Sequence, residues 1–219
     1  MSVCADDVAP TKYVRDLGIY IDSDMSMKTH VSRTVSSCFA ALRHIRSIRR
    51  SVCKPVLLSL VTSLVMTCLD YGSVTLYSII KSLMDHLQSV LNAIARLVHN
   101  SCKYDRISPF LSDLHWLRVP ERIKFRLAVL VFRFRNQTAP NYLARDLQWA
   151  DTDDSRRRLR SATTQRLLVR RTRLRTIGNR AFAVAPRVWN DLPADIVSAP
   201  SLAIFKRRLK THLFGQSFG

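Results

Sequence analysis

Residues 26–50 read SMKTHVSRTVSSCFAALRHIRSIRR. Apolar side chains recur in this stretch every three or four residues, which is the spacing of one face of an α-helix. They are Met27, Val31, Val35, Cys38, Leu42 and Ile45. Ser26 precedes them and belongs to a residue type favoured at helix N-caps. The arginines fall largely outside this stripe, so we predict a long helix with one apolar and one basic side.

Two more helices are predicted to follow. Pro55 stands where the first turn of a helix tolerates proline, and the residues after it are apolar on more than one face, so we expect this helix to be buried. They are Leu57, Leu60, Val61, Leu64, Val65 and Cys68. A third helix is predicted from Ser82, with the stripe Leu83, Leu87, Val90, Ile94 and Leu97. Three helices joined by short connections predict a bundle.

The apolar run between Lys54 and Lys81 is long enough to span a membrane. Asp70 lies in its middle, however, and is followed by Gly72. A central Asp costs about 2.5–3.5 kcal/mol on insertion. We therefore predict two buried elements that break at Asp70–Gly72, and no membrane partner.

The sequence before Ser26 indicates a strand. Lys12–Ile21 is rich in β-branched and aromatic residues and ends in the turn-like Asp22-Ser23-Asp24. Because two strands alone do not form a stable sheet in water, we expect this remnant to belong to a larger sheet outside the chain. The Asp22-x-Asp24 spacing occurs in some metal-dependent transferases, but we favour turn and cap chemistry here.

Beyond Asn100 the pattern remains helical. Starts are predicted at Ser108, Pro120, Pro140 (to about Leu147) and Ser201, and a helix interrupted by Pro186 is predicted between Gly178 and Asn190. The expected core residues are Ile123, Leu127, Leu130 and Phe134 in the Pro120 helix, and Leu202, Phe205, Leu209 and Leu213 in the last helix. Residues 156–175 are dense in arginine. Leu167, Leu168 and Val169, and then Leu174 and Ile177, predict two short strands around Arg170-Arg171-Thr172.

The predicted fold class is therefore mainly α. It comprises a residual N-terminal strand and turn (residues 1–25), a helical bundle (26–104) and a second, basic helical region (105–219). We place a short basic β-hairpin near residues 166–176 of that last region.

The charge balance points to a polyanionic partner. Lys and Arg number 35 against 16 Asp and Glu, a formal net charge of +19. Self-repulsion on this scale destabilises a compact chain unless a polyanion such as nucleic acid offsets it. The candidate contacts with nucleic acid are Arg43, Arg46, Arg49, Arg50, Arg156, Arg157, Arg158, Arg170, Arg171, Arg173, Arg175, Lys206, Arg207 and Lys210. Of the aromatic residues near basic positions, Trp116, Phe132, Phe134 and Trp189, each is interpreted as core rather than as a base-stacking platform.

The cysteines indicate a reducing compartment. Cys4, Cys38, Cys53, Cys68 and Cys102 are odd in number and widely spaced, which favours free thiols over a disulfide framework. The N-terminus lacks the basic and apolar pattern of a signal peptide. We expect the chain in the nucleus or cytoplasm and not secreted.

No complete catalytic constellation can be assembled from the sequence. Asp6-Asp7 resembles the Tyr-Ala-Asp-Asp box of reverse transcriptases, but Pro10 follows closely and no further catalytic carboxylate is present. His99 and Cys102 have the spacing of two zinc ligands, yet no second pair completes a tetrahedral site. We expect no catalytic residue, no metal and no cofactor.

Several motifs resemble, in order, the C-terminal part of non-LTR retrotransposon reverse transcriptases of the jockey-like branch. They are Val14-Arg15-Asp16-Leu17-Gly18-Ile19 through Ser26 and His30-Val31; Cys68-Leu69-Asp70-Tyr71; Gln88 to Leu97; Leu114-His115-Trp116-Leu117; Ala139-Pro140-Asn141-Tyr142-Leu143; Val188-Trp189-Asn190-Asp191-Leu192-Pro193; and Phe205 to Phe214. The resemblance covers about Val14 to Phe214, and near Ala183–Pro186 this chain is one small residue shorter than the family form.

The resemblance implies a thumb formed by the helices from Ser26 to about Asn100, followed by a region that holds template RNA and primer DNA. It also implies that the catalytic palm and the fingers lie outside this chain and are a further partner, so that the chain alone is no enzyme. The alternative is a host-adopted or degenerate helical interaction protein without a nucleic-acid role.

Overall fold

The first predicted helix is present as α1, Lys28–Ile48, in the computed structural model, which describes residues 2–3, 6–7, 10–140, 147–148, 166–169, 178 and 185–219. Its predicted stripe is buried: Val31, Cys38 and Ile45 are each at most 2% exposed. Val35 is only half-buried. The spacing of apolar residues by three and four therefore identified the buried face of α1. Val35 lies at the edge of that face.

The N-terminal cap of α1 differs from the prediction. Met27 occupies the N-cap position in the left-handed region, with φ 65°. The carboxylate of Asp22 accepts hydrogen bonds from the Thr29 backbone N–H and from the Ser26 hydroxyl, both at 3.1 Å. The predicted Ser26 cap is wrong because a carboxylate, the stronger acceptor, reaches the first turn. Asp22 and Asp24 do serve turn and cap chemistry, as predicted; Asp24 accepts from the Ser26 backbone N–H.

Two short antiparallel ribbons precede α1. Ser2–Val3 (β1) pairs with Asp6–Asp7 (β2), and Tyr13–Asp16 (β3) pairs with Ile19–Asp22 (β4). Asp6 and Asp7 thus form the second strand of the first ribbon.

The second ribbon corrects the prediction of one strand over Lys12–Ile21. Leu17 and Gly18 connect β3 to β4, and both have positive φ, 44° and 84°. A two-residue turn of this kind matches the twist of the flanking strands. The sequence signal was Leu17-Gly18 between β-branched residues, and it was missed because leucine is a rare occupant of the left-handed region.

After α1, a 3-10 turn at Arg49–Ser51 leads into α2, Lys54–Val61, with proline in its first turn as predicted. This helix continues through a π-helical turn, Thr62–Met66, into α3, Thr67–Asp70. The chain breaks at Asp70–Gly72, as the sequence predicted.

The prediction that this second helical segment is buried on more than one face is wrong. Leu57, Val61 and Val65 are buried, but Val56 is 46% and Leu64 54% exposed. α1 packs along the segment from α2 through α3. The covered face is therefore the one that meets α1, and the apolar residues on the other face lie open.

A 3-10 turn at Ser73–Leu76 precedes α4, Lys81–His99. The predicted stripe of α4 is confirmed, because Leu87, Val90 and Ile94 are fully or almost fully buried. Residues 1–72 and 79–98 together form one compact unit, which contains both ribbons, α1 to α3 and α4 up to Val98.

The second compact unit comprises residues 73–78 and 99–219. Its described helices are α5, Ser108–Asp113; α6, Val119–Arg135; α7, Ala185–Asn190; α8, Ala194–Val197; and α9, Leu202–Phe218. The predicted Ser201 cap is confirmed, since its side chain accepts a hydrogen bond from the Ile204 backbone N–H at 3.4 Å.

An aromatic cluster forms the core of this second unit. Phe132 stacks on Phe205 at 4.3 Å between ring centroids, and Trp189 lies 5.9 Å from Phe205. Both Phe132 and Trp189 are core residues, as predicted. Leu130 and Phe134, also predicted as core, are only half-buried. α6 packs against α9, and in this arrangement Val131 and Phe132 are the buried residues in place of Leu130 and Phe134.

The mainly α fold class is confirmed. The predicted helix from Pro140 and the hairpin around Arg170-Arg171-Thr172 lie outside the described residues, apart from the hairpin's first four positions. Among the described helices, none combines the length and apolar content that a membrane crossing requires.

Candidate nucleic-acid interface

The outer side of α1 carries a row of unpaired arginines. The sequence from Met25 to Leu69 contains no Asp or Glu. Arg43 and Arg46 are three residues apart and so lie on one face of α1, Arg50 follows in the 3-10 turn, and all three are exposed. Within the described part of the chain, their guanidinium groups have neither a hydrogen bond nor an ion pair. They are therefore available to an external anion.

Arg49 differs from its neighbours. It is half-buried, and its Nε–H donates to the Leu97 carbonyl at 2.8 Å. Leu97 lies in the last turn of α4, where backbone carbonyls have no partner within the helix. Arg49 thus joins α1 to α4, and this structural contact distinguishes it from Arg43, Arg46 and Arg50.

A second basic surface lies on α9. Phe205, Leu209 and Leu213 face the core, and the side chains of Lys206, Arg207 and Lys210 are exposed. Arg208, next to them, donates to the Asp195 carbonyl at 2.5 Å and so ties α9 to α8. The sequence contains no acidic residue after Asp195, and no ion pair to Lys206, Arg207 or Lys210 is present among the described residues.

The arginine-dense segment is described only at Arg166 to Val169. The candidate contacts Arg156, Arg157, Arg158, Arg170, Arg171, Arg173 and Arg175 lie outside the described residues. The amide of Asn190 brackets Leu167: its Oδ1 accepts from the Leu167 N–H at 3.0 Å and its Nδ2 donates to the Leu167 carbonyl at 2.9 Å. Asn190 therefore anchors one end of this segment to α7.

A cluster that the sequence did not reveal joins the second ribbon to α1. We call Tyr13, Arg15, Tyr20 and Arg33 the Arg33 cluster. Arg33 donates to the Tyr13 hydroxyl at 2.8 Å and to the Tyr20 hydroxyl at 3.2 Å. Its guanidinium carbon lies 5.1 Å and 4.4 Å from the two ring centroids. The signal was present as alternating aromatic and basic residues on one ribbon face, but only the β3–β4 register brings them together.

The residues considered for metal binding do not assemble into a site. Among the described residues, no group of three or more His, Cys, Asp or Glu side chains is placed to hold an ion. His99 stacks on Phe110 at 4.8 Å, and its Nε2 lies 3.5 Å from Asp113. These contacts of His99 are with Phe110 and Asp113 and do not involve Cys102, which is exposed.

Two buried groups have shifted pKa values that argue against reactivity. Burial, with Cys68 nearby, raises the pKa of Cys38 to about 12, so its thiol stays protonated at neutral pH. Burial lowers the pKa of His30 in spite of the nearby Asp22, so this imidazole is neutral. Cys38 and His30 are core groups and not a nucleophile and its base.

A cleft of about 130 Å³ in the second unit has Tyr77, Lys124, Asp191 and His212 in its lining. Burial, with Asp191 nearby, raises the pKa of Tyr77. Pockets for small ligands usually measure about 300–1,000 Å³. This cleft is smaller than that range, and a cleft of about 420 Å³ beside Arg207 and Arg208 forms part of the second basic surface.

Comparison with family models, with curated proteins and with solved structures finds no match to this chain.

Proposed function

We propose that the chain binds the phosphate backbone of RNA and DNA as the thumb and C-terminal region of a retrotransposon RNA-directed DNA polymerase. In this proposal it carries no polymerase chemistry of its own. The observation that supports it best is the row Arg43, Arg46 and Arg50 on α1 and the 3-10 turn after it, a stretch without acidic residues, where all three are exposed and unpaired among the described residues.

Arginine suits this task because its planar guanidinium pairs bidentately with phosphate. Phosphate contacts fix orientation but carry no base information, so binding is expected to tolerate any sequence. The exposed cations of α9 and the arginine-dense segment would add further contacts of the same kind. The four arginines Arg170, Arg171, Arg173 and Arg175 follow the stretch that Asn190 anchors.

Alanine substitutions with a matched charge control test the proposal. The test variant replaces Arg43, Arg46 and Arg50, and the control replaces the exposed lysines Lys54, Lys81 and Lys103. Both variants have three fewer positive charges, so any difference between them reports position and not total charge. Removal of one phosphate interaction on a duplex lowers the slope of log affinity against log salt by about 0.9. We expect the slope to fall by about 3 in the test variant and to change little in the control.

The same titration applies to the arginine-dense segment. Replacing Arg170, Arg171, Arg173 and Arg175 with alanine should weaken binding and flatten the slope by about one unit for each phosphate interaction removed. The proposal fails if both arginine variants bind like the lysine control while their circular dichroism spectra match that of the unaltered chain.

Protein interaction is the second candidate function. In the first unit several large apolar side chains are exposed, among them Leu17 at 84%, Tyr71 at 55% and Leu64 at 54%. Exposed apolar residues that form a contiguous patch are typical of contact surfaces with other proteins. Binding of that kind would depend little on salt, which distinguishes it from the phosphate contacts proposed above.

A further inference from the structure

We infer that the Arg33 cluster is a preorganised phosphate-binding site, separate from the arginine row of α1. This inference rests on the proposed function and names one more contact point for the same nucleic acid. Its location is the junction of the second ribbon with the N-terminal half of α1.

The register of the ribbon builds the cluster. Tyr13 pairs with Asp22 and Arg15 pairs with Tyr20 across β3 and β4. Because side chains alternate along a strand, Tyr13, Arg15 and Tyr20 share one face. The rings of Tyr13 and Tyr20 meet edge to face, 6.0 Å apart at an interplanar angle of 69°. Arg33 reaches both rings from α1.

The two tyrosines hold Arg33 in one orientation but use only some of the N–H donors of its guanidinium. A guanidinium has five N–H groups, and the tyrosine hydroxyls accept from two of its nitrogens. The side chain of Arg33 is nevertheless exposed. Within the described residues no carboxylate pairs with it. The guanidinium therefore has N–H groups that can donate to an anion. Because the fold already holds this side chain in place, little side-chain entropy is lost when the anion binds.

The chemistry of the cluster favours phosphate over a nucleobase. Arg33 packs against both rings, and Arg15 lies 5.6 Å from the Tyr20 centroid. The rings are thus engaged with guanidinium groups and not open for base stacking. Two cations share Tyr20, and the one carboxylate on this ribbon face, Asp22, is buried and hydrogen-bonded to Ser26 and Thr29. The exposed charge of the cluster is therefore positive and attractive to a phosphodiester group.

The cluster is also a separate contact and not the end of the arginine row. Arg33 precedes Arg43 by ten residues, which is about 15 Å along a helix axis. That length corresponds to about four base-pair steps of a duplex. At 3.6 residues per turn, Arg33 also lies about 80° around the helix from Arg43, so the cluster and the arginine row are separate contact points on α1.

Three variants of the full chain test the inference, with an RNA–DNA hybrid duplex as the probe. In Arg33→Ala we expect affinity to fall about tenfold and the salt slope to fall by about 0.9. The double variant Tyr13→Phe with Tyr20→Phe keeps the rings and the charge but frees the guanidinium. It should weaken binding about threefold because preorganisation is reduced, with the salt slope unchanged. Lys81→Ala is the matched control for removal of one exposed charge and should leave the slope unchanged.

A second measurement needs no substitution and so cannot be confounded by misfolding. Phenylglyoxal modifies exposed arginines, and peptide mapping reports the rate at each position. We expect the hybrid duplex to protect Arg33 from modification. The inference is overturned if the unaltered chain binds with a steep salt slope while Arg33→Ala behaves like Lys81→Ala, or if Arg33 is not protected. If the unaltered chain does not bind at all, the proposed function fails as well.

Discussion

Two groups of arginine side chains among the described residues differ in what they contact. Arg49, Arg135 and Arg208 donate to the carbonyls of Leu97, Val197 and Asp195. Each of these carbonyls lies in the last turn of a helix, where it lacks an intrahelical partner and where the helix dipole favours a cation. Such arginines stabilise the fold. The exposed ones without such a contact, such as Arg43, are the ones left for a ligand.

At the same scale, Asp22 makes a testable contribution to stability. Burial raises the pKa of Asp22, but hydrogen bonds from Thr29 and Ser26 outweigh burial and lower it overall. A carboxylate with a lowered folded pKa stabilises the folded state above its unfolded pKa of about 3.9. That contribution is lost as the pH falls through the folded value.

We therefore predict that Asp22→Ala lowers the free energy of unfolding by about 1–2 kcal/mol at pH 7, as expected for loss of a helix cap. The difference from the unaltered chain should shrink as the pH falls below about 4 towards the lowered pKa of the folded Asp22 carboxylate. Urea denaturation at a series of pH values measures this. Equal stability at pH 7, or a difference that persists unchanged in acid, would contradict the cap assignment.

At the scale of elements, the contact of the second ribbon with the end of α3 depends on Gly72. Its φ is +64°, and a Cβ there would lie 2.8 Å from the Ile19 Cδ1 atom in β4. The Tyr71 hydroxyl also donates to the Leu17 carbonyl in the ribbon turn. The ribbon thus docks through a glycine that allows close approach and a tyrosine that bonds the turn.

Gly72→Ala should destabilise the chain by about 1–3 kcal/mol, because an L side chain is strained at positive φ and Ile19 must move. Gly215 in α9 provides the control, because a Cβ at this position would have no atom within 4 Å. Gly215→Ala should stabilise by about 0.5–1 kcal/mol, because glycine is a poor helix former. Thermal melts of the two variants should shift in opposite directions; a shift of both in the same direction would count against this packing.

Features of the elements were predictable from the sequence where the residues involved are close together along the chain. The buried stripes of α1, α4 and α9 were predictable because a helix is local and its apolar period is written in consecutive residues. The Asp22 cap, the Asn190 bracket around Leu167 and the Arg33 cluster were not predictable. Each joins residues that are distant along the chain, and their meeting depends on strand register or tertiary packing.

The candidate site was predictable to a smaller extent. The sequence identified Arg43, Arg46 and Arg50 because a helical period separates polar from apolar positions. It could not separate Arg49 from them, since the Leu97 carbonyl is a tertiary partner. It also missed Arg33, because nothing local marks an arginine that tyrosines from another element hold in place.

At the scale of the whole molecule, a net charge of +19 must affect stability and binding together. Salt screens repulsion between the cations and so should favour the compact state. Salt also weakens contacts with phosphate, because binding releases counterions from the nucleic acid. The two effects have opposite signs, so loss of binding at high salt cannot be mistaken for unfolding if circular dichroism is recorded on the same samples.

The salt dependence of binding by the unaltered chain tests the central claim most directly. Fluorescence anisotropy with a labelled RNA–DNA hybrid, from about 50 to about 200 mM salt, gives log affinity against log salt. Contacts by Arg43, Arg46 and Arg50 and by the four arginines at positions 170, 171, 173 and 175 would produce a slope of about −6 on a duplex, at about 0.9 per contact. We predict a slope of that order with little dependence on base sequence. A slope near zero, or no binding at the lowest salt by a chain that remains folded, would contradict the claim.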